Sequence, residues 1–171
     1  MRTRDRIRLK RFLRHAEGYL DLGLPQQALD ALLRLGDLAK SDPQALYLLG
    51  EAYRALERYP EAVPPLETAV QAGLREVPVW LALGWCYKRT ARLDRAVQTM
   101  EQALILEPHA ALLHYNLACY LSLAGKKDRA LEHLSRALEL DAQYRHLVDS
   151  ESDFDPIRSD PEFQALTKAV A

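Results

Sequence analysis

Apolar residues follow helical spacing from the N-terminal arginines to about residue 144, and the pattern repeats itself. Ala28, Ala62, Ala96 and Ala130 stand 34 residues apart. Twelve positions before each comes a small residue, at Ala16, Gly50, Gly84 and Ala118. Four positions after comes a large apolar one, at Leu32, Leu66, Met100 and Leu134. Tyr19, Tyr53, Tyr87 and Leu121 keep the same register nine positions before. A fixed period of this length marks stacked helix–turn–helix units. Small side chains belong where helices cross closely, and the larger ones fill the space between those points. The register therefore predicts Ala62, Ala96 and Ala130 buried against Gly50, Gly84 and Ala118.

Turn residues fall where such units need them. Leu22-Gly23-Leu24-Pro25 separates the first helix pair, Tyr59-Pro60 the second, Thr90 to Leu93 the third and Ala124 to Asp128 the fourth. Pro25 suits the first position of a helix. Pro64 and Pro65 fall inside a predicted helix, where each removes a backbone donor, so a local kink in an intact repeat is expected. Beyond residue 144 the pattern predicts a short helix at about 143–149, an acidic loop and a helix from about 160, anchored by Leu147, Phe154, Ile157, Phe163 and Leu166.

At these residues the chain resembles a tetratricopeptide repeat protein, with repeats at 9–42, 43–76, 77–110 and 111–144. The third is the most typical, carrying Trp80, Leu83, Gly84, Tyr87, Ala96, Met100, Ala103 and Pro108 on the signature positions. The fourth has His114 where the family has Trp, and the first is the least typical, as a terminal repeat is expected to be. Asp153 to Leu166 resembles the segment that closes many bacterial proteins of this class. The resemblance implies an all-α fold, a right-handed α-α superhelix of four helix pairs with C-terminal capping helices. It implies one domain over 1–171, with the cap at 145–171.

Composition narrows the function. The chain has 171 residues, 49% of them apolar, which is ample for a core. A net charge of −1 implies no general attraction to nucleic acid or anionic lipid. Local imbalance remains. Arg2, Arg4, Arg6, Arg8, Lys10, Arg11 and Arg14 face only Asp5, and the stretch 149–162 is acidic apart from Arg158. The basic head is read as a helix capping the first repeat, with solvated charges, rather than as a membrane or nucleic-acid element. Cys86 and Cys119 lack metal-ligand spacing and read as reduced thiols in packed positions, which points to the cytoplasm. No stretch has the length and apolarity of a membrane span, and no apolar core follows the basic N-terminus as in a secretory signal.

His15, His109, His114, His133 and His146 make no metal motif, and no nucleophile motif or glycine-rich phosphate loop is present. The expectation is no catalysis, no cofactor and no metal. The resemblance implies instead that the first helix of each repeat lines an inner groove. Its groove positions carry Tyr47, Glu51 and Arg54 in the second repeat, Trp85, Lys88 and Arg89 in the third, and Tyr115 and Asn116 in the fourth. Aromatic and arginine side chains are the usual anchors of binding energy. The family's clamp for a partner's C-terminal carboxylate is not formed. The positions it requires hold Leu13, Glu17, Leu48, Pro78 and Ala82, or, one repeat on, Tyr47, Glu51, Ala82, Leu112 and Asn116.

The expected function is thus a scaffold or adaptor. It would bind a protein segment with acidic residues and an apolar anchor, as a monomer or weak homo-oligomer. The alternatives are a secretion-type chaperone for an apolar client and a self-associating assembly module.

Overall fold

Helices account for the regular structure throughout residues 3–168, the residues that the computed structural model describes. The chain divides into two compact units, Met1–Thr90 and Ala91–Ala171, taken here in turn.

The first unit contains α1 (Thr3–Asp21), α2 (Pro25–Leu33), α3 (Asp37–Lys40), α4 (Pro43–Ala55), α5 (Tyr59–Gln71) and α6 (Val77–Arg89). Helices pair in order, α1 with α2 and α4 with α5, and the first helices also meet, α1 against α4 and α4 against α6. Leu9, Ala16, Leu29, Leu32, Leu48 and Leu49 belong to one buried cluster. The basic head is no separate element: it is the first part of α1. Leu9 is buried in the core while Ile7 stays exposed, and Arg8 Nη2 donates to the Arg34 carbonyl at 2.7 Å. Arg2 lies outside the described residues.

The alanine register is buried as expected, and the tightest approach to Gly50 is made by a neighbouring residue of the facing helix. Ala62 is fully buried, yet the closest approach to Gly50 comes from Leu66, one turn further along α5. A Cβ on Gly50 would lie 2.4 Å from Leu66 Cγ. The glycine thus makes room for the large residue of the facing helix, Leu66.

α5 runs unbroken from Tyr59 through Pro64 and Pro65 to Gln71. Both prolines fall early, so the carbonyls that lose a donor belong to Pro60 and Glu61, exposed residues that water can serve. Asp42 starts α4 by accepting from the Ala45 amide at 2.9 Å, with Pro43 at the first helical position.

The turns inside the repeats share a conformation. Gly23, Glu57, Ala91 and Gly125, each fifteenth in its repeat, all have φ between 58° and 70°. In three of them the amide that follows reaches back across the helix end: Leu24 to Tyr19 O at 2.8 Å, Arg58 to Tyr53 O at 2.9 Å and Lys126 to Leu121 O at 2.9 Å. This is the Schellman arrangement, which satisfies carbonyls left over at a helix C-terminus.

The second unit contains α7 (Leu93–Leu106), α8 (Ala111–Leu123), α9 (Lys127–Leu140), α10 (Arg145–Val148) and α11 (Pro161–Thr167), with 3-10 turns at Ala142–Tyr144 and Ser152–Ile157. α8 packs on α7 and α9, and the 152–157 turn lies on α8. Phe154, Ile157 and Phe163 are buried, as expected of a cap. Leu147 is not an anchor. It is exposed, and the neighbouring Val148 is buried in its place, because α10 is one turn long and its phase was not readable from the surrounding pattern. Arg158 fixes the segment by donating to the carbonyls of Val148 and Glu151. Asp160 caps α11 and pairs with Lys127 at 2.8 Å.

Candidate functional site

α4 and α6 are adjacent first helices within one unit, and they carry most of the predicted contact residues. Trp85 is exposed at 36%, and the Lys88 ammonium stands 4.9 Å from its ring centre, one turn along α6. A large aromatic that keeps part of its ring exposed beside a cation is the kind of side chain that anchors partners. On α4, Arg54 grips Glu51 through both ends of its fork, Nε to Oε1 at 2.7 Å and Nη2 to Oε2 at 2.9 Å. That bond raises the Arg54 pKa further, and the two-point contact fixes the pair in shape. Arg54 also acts on the buried Cys86 thiol of α6, and burial pushes that thiol up to about 12. It is a neutral packed thiol, as the sequence suggested. Tyr47 is half-buried; burial first, then Glu51, pushes its hydroxyl up to about 12, so it stays a neutral donor.

Three predicted residues sit differently. Arg89 stacks on Tyr59 of α5, 4.9 Å from the ring centre. Asn116 is spent locally, with Nδ2 donating to the Leu112 carbonyl one turn back at 2.8 Å. Tyr115 is 6% exposed. Its ring packs against Tyr144 at 5.0 Å and meets the edge of Phe154 at 5.6 Å. In the fourth repeat the chain's own closing segment therefore covers Tyr115, which the resemblance assigned to a ligand.

Beneath that cover lies a grouping the sequence reading missed. The ligand atoms of Cys119, Glu151 and Asp153 all lie within 4.8 Å of one another. The Tyr115 hydroxyl is buried beside them, has no hydrogen-bond partner among the described residues, and is raised in pKa by burial and by the charges of all three. The available signal was a Cys one helical turn from a Tyr on the inner helix, together with a Glu-x-Asp in the tail. Only the folded tail joins them.

His114, at the family's Trp position, is buried against His133, with their Nδ1 atoms 2.9 Å apart. His114 Nε2 lies 3.0 Å from the Pro108 carbonyl, which can only accept, so His114 donates there and its Nδ1 accepts from His133. Packing explains this residue.

The profile of the tetratricopeptide repeat matches residues 13–76 and 81–145, most of the chain. The chain belongs to the tetratricopeptide repeat family. Among relatives, anaphase-promoting complex subunit 3 of Dictyostelium discoideum is 29% identical over 103 residues, which is 60% of this chain and 11% of that protein. The peroxisomal targeting signal receptor of Candida glabrata is 27% identical over 118 residues, 69% of this chain and 19% of that protein. The chain thus spans less than a fifth of the length of either relative. Among solved structures, YrrB, described as a tetratricopeptide repeat protein with an unusual peptide-binding site, superposes with a TM-score of 0.74 at 20% identity, covering 91% of this chain and 79% of that one. MamA residues 41 to the end from Desulfovibrio magneticus superposes with a TM-score of 0.73 at 20% identity, covering 93% of each chain. At that identity the likeness concerns the fold: an all-α array of helical repeats.

Proposed function

We propose that the protein is a non-catalytic interaction scaffold that binds a segment of another protein on the face formed by α4 and α6. The observation that carries this reading is Trp85, a large aromatic on a first helix that keeps about a third of its surface exposed (36%) with a lysine at its ring, on a helix packed beside the one that holds the Arg54–Glu51 pair. The peptide-binding site named for YrrB, and the receptor and complex-subunit names of the relatives, support an interaction role of this kind. The ligand is a segment with an aromatic or large apolar anchor for Trp85 and Tyr47, and one or more acidic residues. The surface is narrower than the predicted row. It omits Tyr115, which packs under the tail, and Asn116, and it keeps Arg89 only as a flanking charge.

A largely preformed face limits the ordering cost of binding on this side of the interface. The compartment is the cytoplasm, in keeping with two buried free thiols. No described helix is long and apolar enough to cross a membrane. The free protein is a monomer or a weak homo-oligomer.

Selection from a displayed random-peptide library tests the reading. Enriched sequences should share an aromatic or large apolar residue flanked by Asp or Glu, and should be lost when Trp85→Ala replaces the parent as bait. Enrichment that is unchanged by Trp85→Ala, or that lacks acidic residues, would overturn the assigned face.

A further inference from the structure

We propose that Cys119, Glu151 and Asp153 bind a divalent transition-metal ion of the zinc class, which ties the closing segment to α8, with the Tyr115 hydroxyl bordering the open coordination position. This goes beyond the interaction role and does not rest on it.

The geometry comes first. Bonds of about 2.0–2.3 Å from a tetrahedral zinc to sulfur and oxygen place neighbouring ligand atoms about 3.3–3.8 Å apart. The three ligand atoms here are already within 4.8 Å of one another, so side-chain adjustment suffices to close the set. The frame that holds them is well packed. Cys119 comes from the middle of α8 and is 2% exposed. Asp153 is 7% exposed and sits in the 152–157 turn, next to Phe154, which is seated against Tyr115. Glu151 accepts from the Asp153 amide at 3.1 Å, which holds its carboxylate beside Asp153.

The donor set selects the metal class. A thiolate favours zinc-like ions over magnesium or calcium, which prefer all-oxygen cages. On binding, the Cys119 thiol gives up its proton to solvent and the sulfur lone pair goes to the ion; neither carboxylate changes its covalent state.

Tyr115 is the independent observation. Its hydroxyl is buried and has no hydrogen-bond partner among the described residues, its ring meets Phe154, the neighbour of Asp153, and the residue precedes Cys119 by one turn of α8. Three protein ligands leave a fourth position for water. A water held there would give the orphaned hydroxyl the partner it lacks, as the groups behind a metal site commonly do.

The test uses the full chain, reduced and freed of metal with a chelator, then titrated with cobalt(II) as a spectroscopic stand-in. The expected result is a thiolate-to-cobalt charge-transfer band with the visible bands of tetrahedral cobalt, saturating at one equivalent and displaced by zinc. Cys119→Ser should abolish the charge-transfer band, and Cys86→Ser should leave it intact. Glu151→Gln should weaken binding at least about tenfold, the scale seen for losing even a partner behind a ligand. Absence of the band in the parent would overturn the site, as would a band that survives Cys119→Ser. If Cys119→Ser does not fold by circular dichroism, Glu151→Gln decides, since a parental affinity there would also overturn the site.

Discussion

At the scale of single residues, two positions carry consequences out of proportion to their size. Gly50 admits the Leu66 side chain, and a Cβ would meet Leu66 Cγ at 2.4 Å. Leu66 is fully buried and has nowhere to retreat, so Gly50→Ala should destabilise by about 1–3 kcal/mol through overpacking, read as a lower denaturation midpoint. An unchanged midpoint would mean that the two helices part at no cost. The sequence showed that a small residue was needed here but not against what, since spacing along one helix does not identify the facing atom. His133 carries a pH dependence. Burial, and then His114, lower its pKa, with Glu132, Arg129 and Glu101 also acting on it. The unfolded chain therefore binds this proton more readily than the folded one. The stabilising contribution is complete above the ordinary histidine value of about 6.5 and is lost as pH falls through the depressed folded value. Melting temperature should fall between about pH 7.5 and pH 5.5, and His133→Gln should flatten that slope. A slope identical in the variant would assign the proton elsewhere.

At the scale of elements, the period and the helix pairs were legible from the alanine register, and the turn positions from Gly and Pro. The turn conformation was only half legible. Gly23 and Gly125 advertise a left-handed residue at position 15, but Glu57 and Ala91 adopt the same φ without a glycine. A left-handed conformation costs a non-glycine residue about 1–2 kcal/mol, partly offset by glycine's greater freedom when unfolded. Glu57→Gly and Ala91→Gly should each therefore stabilise by about 0.5–1 kcal/mol, visible as a raised melting temperature. A loss of stability would show that the Glu57 or Ala91 side chain contributes more than its backbone strain. The tail was legible as a cap through Phe154, Ile157 and Phe163, but its placement was not, because spacing inside a repeat cannot say which groove residues a following segment will cover. That is why Tyr115 was assigned to a ligand and is instead buried under Tyr144 and Phe154. Removing residues 150–171 takes away Phe154, Ile157 and Phe163 together and should expose an apolar face that drives association. A truncated chain that stays monomeric by light scattering, with an unchanged melting temperature, would contradict the capping role.

At the scale of the whole molecule, the division after Thr90 falls between α6 and α7, which the 34-residue register assigns to one repeat. Stacked repeats gain stability from each neighbour, so we propose that the chain melts as a single cooperative domain, with calorimetric and van't Hoff enthalpies that agree. Two resolved transitions would make the units independent. We propose that this family member binds a protein segment through α4 and α6, which calorimetric titration with a peptide selected on the parent tests. Trp85→Ala should weaken the affinity by at least about 1 kcal/mol, Lys88→Ala should mainly lessen the dependence on salt, and Tyr115→Phe should bind as the parent does. Parental affinity in Trp85→Ala, or a loss confined to Tyr115→Phe, would place the binding surface elsewhere.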